Sequence, residues 1–164
     1  MNTKTVTIAI LVAAVLFGFV WWSRSYTNED VKGASPGAGS LDAAETLFDF
    51  GTISMKNGNV NHLFKVANSG ASDIEIQTIN TSCMCTSAYI EGAHGEKGPF
   101  GMPGMGFVPP ANEIIKAGES RDIKVVYDPA AHGPAGVGPI DRFVMLTEKG
   151  GASLKLEIKA VVTP

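Results

Sequence analysis

Val60-Asn61-His62-Leu63-Phe64-Lys65-Val66-Ala67-Asn68-Ser69-Gly70 decides the fold class. Val60, His62, Phe64 and Val66 alternate with Asn61, Leu63, Lys65 and Ala67, and a period of two sends the two sets to opposite faces of an extended strand. Asn68-Ser69-Gly70 closes the run with turn formers. Just upstream, Lys56-Asn57-Gly58-Asn59 centres on Asn-Gly, a strong hairpin signal. The same grammar repeats outward. Leu47-Phe48-Asp49-Phe50-Gly51 begins an earlier strand, and Ile74, Ile76 and Ile79 mark a later one. Ile123–Tyr127 follows the turn Lys116-Ala117-Gly118-Glu119, and Phe143–Leu146 is a further run. Leu154, Leu156, Ile158 and Ala160 alternate with Lys155, Glu157 and Lys159, the pattern of a half-buried last strand.

No stretch beyond Leu41 carries helical periodicity of useful length, so the expected fold is all-β. Short strands separated by turns predict an antiparallel sandwich of about seven strands over Leu41–Thr163. The expected core is Phe48, Phe50, Phe64, Val66, Ile74, Ile76, Val125, Tyr127, Phe143, Leu154, Leu156 and Ile158. His62 reads as a structural member of its strand. Asp49 and Asp128, each beside a turn, read as backbone caps.

The chain of 164 residues has room for one domain and its appendages. Its net charge of −3 and the lack of a basic stripe exclude nucleic acid as an expected partner. The two cysteines, Cys83 and Cys85, cannot form a disulfide scaffold, so a packed core must supply the stability.

Ahead of the sandwich, residues 5–22 read TVTIAILVAAVLFGFVWW with no charge. That length is close to the roughly 20 apolar residues a spanning helix needs, and Trp21 and Trp22 suit a membrane interface. The run predicts a transmembrane signal anchor. Residues 1–4 would then be cytoplasmic, and the sandwich would be held from the inner membrane in the periplasm or extracellular space. A cleaved signal peptide is the rival reading, and it exports the domain equally. Residues 23–40 contain GASPGAGS and read as a flexible linker.

Phe48-Asp49-Phe50-Gly51-Thr52-Ile53, His62 through Gly70, Ser82-Cys83-Met84-Cys85-Thr86, Ala117-Gly118-Glu119-Ser120 and Tyr127-Asp128-Pro129 together resemble a bacterial family, the domain of unknown function 1573. That family falls in the Hydin-like, immunoglobulin-like group. The resemblance covers nearly all of Leu41–Thr163. It implies an immunoglobulin-like β-sandwich and an envelope location, and it implies no activity. This chain departs from the family pattern twice. Met84 stands where the family usually has Gly between the cysteines, and a Gly/Met-rich insert runs over residues 91–110.

Cys83 and Cys85 carry the chemistry most open to interpretation. On an extended strand their thiols share a side and Met84 points away, whereas a turn would let all three sulfurs converge. A disulfide between residues so close would be strained and easily reduced. Thiolate and thioether donors select Cu(I). The expected soft-metal ligands are therefore Cys83, Cys85 and one of Met84, Met102 and Met105, with His94 in reserve. His132, in another loop, is a weaker candidate. The insert shows no strand or helix pattern, and it is expected to be loosely packed until metal binds.

Three functions compete. One is a copper-binding envelope protein. Another is a non-catalytic structural module contacting an envelope protein partner. The last is a thiol redox protein, which lacks a helix N-terminus beside the pair to lower a thiol pKa. No Ser-His-Asp set, carboxylate pair or phosphate loop stands out, so an enzyme is not expected.

Overall fold

The computed structural model describes residues 41–92 and 95–164. The expected anchor at 5–22, the linker at 23–40 and the candidate ligand His94 lie outside the described residues. Among those described, no helix is long and apolar enough to cross a membrane.

Ten strands follow one another: β1 (Leu41–Ala43), β2 (Leu47–Ser54), β3 (Val60–Asn68), β4 (Ile74–Thr81), β5 (Thr86–Gly92), β6 (Gly95–Phe100), β7 (Glu113–Ile115), β8 (Ser120–Tyr127), β9 (Gly138–Glu148) and β10 (Ser153–Thr163). The helical content described is two single 3-10 turns, Met55–Asn57 and Gly133–Gly136. The strands form two five-stranded sheets, β1-β3-β8-β5-β6 and β2-β10-β9-β4-β7. The all-β sandwich read from alternation is the observed architecture.

The two facing sheets bury Phe64, Val66, Ile76, Ile79, Ile115, Ile123, Val125, Tyr127, Leu146, Leu156 and Ile158 almost completely. Each such side chain contributes about 1.5–3 kcal/mol relative to exposure. The β4 pattern shows why Ile74 and Ile76 are followed by Ile79 rather than residue 78. Pairing with β9 shifts register between Ile76 and Thr78, a bulge that moves the inward set by one residue. The Gln77 carbonyl in this bulge accepts from Ala111 N–H at 2.9 Å. Asp49 and Asp128 cap turns as expected, their carboxylates accepting from Gly51 N–H and Ala130 N–H, both at 2.8 Å. His62 is structural too: it stacks on Phe48 at 3.7 Å between ring centroids and meets Glu45 at 2.8 Å.

The structure corrects four expectations. The sandwich is not wholly antiparallel, because β2 runs parallel to β10 along its edge. Alternation reports which face a residue takes, not the direction of its partner strand. The described residues hold ten strands rather than about seven, because β1 and β7 have three residues each, too few for a period to register, and β6 carries no hydrophobic period. Phe143 faces outward under the Lys155 ammonium, 4.4 Å from its ring centroid, while its neighbours Val144 and Leu146 fill the core. Phe48, Phe50 and Leu154 pack against the core only half-buried. Finally, the insert contains a strand. Residues Gly95–Phe100 pair antiparallel with β5 and end in a fully buried Phe100. Its other five positions are exposed, so backbone pairing holds it without a hydrophobic period to announce it.

Candidate metal centre

Ser82 joins the end of β4 to β9, donating its N–H to the Phe143 carbonyl and accepting Phe143 N–H through Oγ, both at 2.9 Å. The chain then turns. Thr86 N–H donates to the Cys83 carbonyl at 3.1 Å, closing a β-turn over Cys83–Thr86. Thr81 Oγ1 donates to the same carbonyl at 3.0 Å. The turn folds Cys83 Sγ back toward Cys85 N–H, 3.4 Å away. The backbone therefore brings the two thiols together, and Met84 at the outer corner is 52% exposed.

The loop after β8 docks against this turn. Asp128 N–H donates to the Cys85 carbonyl at 2.9 Å, and the Asp128 cap with the following 3-10 turn delivers His132. Gly136 permits the approach: a methyl there would stand 3.2 Å from His132 Cβ. His132 Nε2 lies 3.1 Å from Cys83 Sγ. From β9, Arg142 Nε donates to Cys85 Sγ at 3.4 Å. The two Sγ atoms and the His132 ring nitrogen all lie within 4.8 Å of one another.

The two thiols are unequal. Burial pushes the Cys83 thiol up, but hydrogen bonds from the Cys85 thiol, the Cys85 N–H and His132, with the Arg142 charge, bring it down to about 7. Cys85 is buried, and its thiol is raised by that burial and by donating to Cys83. A half-buried thiol ready to ionise thus stands beside a buried one that keeps its proton.

Of the candidate ligands, Cys83 and Cys85 are brought together, and His132 joins them. Met84, Met102 and Met105 gather elsewhere, lining a shallow depression of about 240 Å³. The lining of that depression includes Thr86 and Ser87 but neither cysteine nor His132. Arg142 is a functional candidate that sequence reading missed. Its place beside the thiols depends on β4–β9 register, for which no local signal exists.

Residues 41–101 match the model of the family described as Protein of unknown function (DUF1573), which includes the Cys-Met-Cys turn but neither His132 nor Arg142. No curated protein matches the sequence. Among solved structures, the chain is similar to a protein of unknown function from Porphyromonas gingivalis W83, with 14% identity and a TM-score of 0.55 over 80% of this chain and 51% of that one. It is also similar to a family 123 glycoside hydrolase from Clostridium perfringens, with 6% identity and a TM-score of 0.53 over 77% of this chain and 27% of the hydrolase. The chain thus spans about half of the first protein and about a quarter of the second, and at such identities the likeness is one of fold. Over residues 41–101, which carry both cysteines, the chain is therefore similar to the DUF1573 family.

Proposed function

We propose that this protein binds a soft monovalent metal ion, Cu(I), through Cys83, Cys85 and His132, on an immunoglobulin-like domain anchored to the membrane and facing the periplasm or extracellular space. The observation that carries the reading is the convergence of two thiols and an imidazole within 4.8 Å. Donors about 2.0–2.3 Å from one ion in a trigonal plane lie about 3.5–4 Å apart, so modest side-chain movement completes the site. A structural Zn(II) site asks for four protein ligands, and among the described residues the cluster offers three. Two thiolates, one neutral imidazole and Cu(I) sum to −1, and the Arg142 guanidinium beside Cys85 opposes that charge. The apolar run at 5–22 supports the location.

Cu(I) competition against a strong chromogenic chelator, with the reduced full chain in detergent, tests the reading. One tightly bound equivalent is expected, lost when Cys83 and Cys85 are both replaced by Ser. Unchanged affinity in that double variant would end the copper reading.

A second reading, thiol–disulfide exchange, is favoured by the inequality of the two thiols. Cys83 has the lowered pKa and access of an attacking thiol, and His132 and Arg142 stand in for the missing helix N-terminus. A measurable Cys83–Cys85 disulfide in equilibrium with a glutathione buffer would support it.

A further inference from the structure

We propose that Met84, Met102 and Met105 form a second, thioether-only site for a soft monovalent cation, on the outer side of the turn that carries the thiols. Two tight turns build it. In Met102-Pro103-Gly104-Met105, Met105 N–H donates to the Met102 carbonyl at 3.2 Å and Gly104 takes a φ of 85°. Proline second and a left-handed glycine third are the marks of a type II turn, which brings its first and fourth residues side by side. The spacing of the two methionines is thus the spacing that sets their side chains next to each other. The other turn, Cys83–Thr86, presents Met84. The end of β6 is tied close by, since Thr81 N–H donates to the Gly101 carbonyl at 3.1 Å.

Three of the five methionines among the described residues line this one depression. They are not filling the core: Met84 and Met105 are 52% and 58% exposed. Among the described residues, no carboxylate, imidazole, amine or guanidinium lines the depression. A hard divalent cation finds no charged oxygen donor among them, whereas thioethers suit Cu(I) and its redox-inert analogue Ag(I). Phe107, 89% exposed on the same lining, adds a ring whose face attracts cations. A site of neutral thioethers leaves the ion its full charge, so it binds more weakly and exchanges faster than a site with two thiolates. Its place one residue from both cysteines makes it a loading point from which the ion passes to Cys83 and Cys85. That transfer, unlike the binding itself, rests on the copper reading of the thiolate cluster.

The test uses full-length chain in detergent, labelled with 13C at the methionine methyls and titrated with silver nitrate in chloride-free buffer. In the C83S/C85S background, the methyl signals of Met84, Met102 and Met105 are expected to shift together and saturate at one equivalent, while Met55 and Met145 stay still. Affinity should hold within about twofold from pH 7.5 to 5.5, because thioethers carry no proton. In the chain with both cysteines, replacing the three methionines with Leu should remove the second equivalent of Ag(I) and keep the first. The proposal is overturned if the three signals do not move, if all methionines move alike, or if the triple Leu variant keeps both equivalents. Shifts in the C83S/C85S chain, with no tight equivalent in the chain carrying both cysteines, would uphold this site and end the copper reading of the cluster.

Discussion

Arg142 on β9 donates through Nε to Sγ of Cys85 at 3.4 Å, a contact between residues 57 positions apart. It sets a cation against the inner of two thiols, where charge builds when both lose protons to a metal. Arg142→Gln keeps a donor and removes the charge. It is expected to weaken Cu(I) binding by about 1 kcal/mol, roughly fivefold, after discounting for the partial exposure of the site. Chelator competition at pH 7 measures this, and an unchanged constant would show that the guanidinium is only packing.

Cys83 should titrate well before Cys85. Its pKa of about 7 means that its thiolate dominates by pH 8, while Cys85 still holds its proton. Thiolate absorbance near 240 nm is expected to rise in two separated steps, and iodoacetamide at pH 7 should label Cys83 first. His132→Ala removes one of the hydrogen bonds that lower Cys83 and should move the first step upward. A single step for both thiols near the ordinary cysteine range would contradict the cluster geometry.

His132→Ala should separate binding from folding. The side chain is exposed, and surface substitutions of this kind usually change stability by no more than about 0.5 kcal/mol. Urea unfolding is therefore expected to be nearly unchanged, while Cu(I) affinity falls about tenfold with the loss of a third ligand. Equal losses in both measurements would make His132 a structural residue.

On β9, the smaller deletion should cost more. Leu146 is fully buried, and Leu146→Ala is expected to destabilise by about 2–5 kcal/mol. Phe143→Ala removes a larger side chain from the outer face and should cost less than about 1.5 kcal/mol, part of it the contact with Lys155. Urea midpoints of the two variants decide the register of the strand.

Much of the sandwich was legible because one face of each long strand is buried. Phe64 and Val66, or Leu156 and Ile158, show their positions by alternation alone. The parallel β2–β10 edge and the three-residue strands were not legible, since partner choice is non-local and three residues do not make a period. Phe143 misled because an aromatic residue on a strand can equally serve an outward cation contact. At the candidate site, Cys83 and Cys85 were visible as a pair through their spacing. The separation of Met84 from the thiols hinged on a turn that spacing left open. His132 could be named as a loop histidine but not ranked, because its approach depends on Asp128 docking against Cys85.

Leu41 N–H is held by the Glu148 carboxylate at 2.8 Å, and β1 is zipped to the far end of β3 at Asn68. The cysteines leave β4 at its opposite end, eight residues or roughly 25 Å away. A pull on the segment before Leu41 therefore loads the short β1–β3 ladder and the Glu148 contact first, ahead of the sulfur-bearing turns. Force applied ahead of Leu41 enters the sandwich at one pole and the Cys83–Cys85–His132 cluster sits at the other, so a tug at the first leaves the geometry of the second in place.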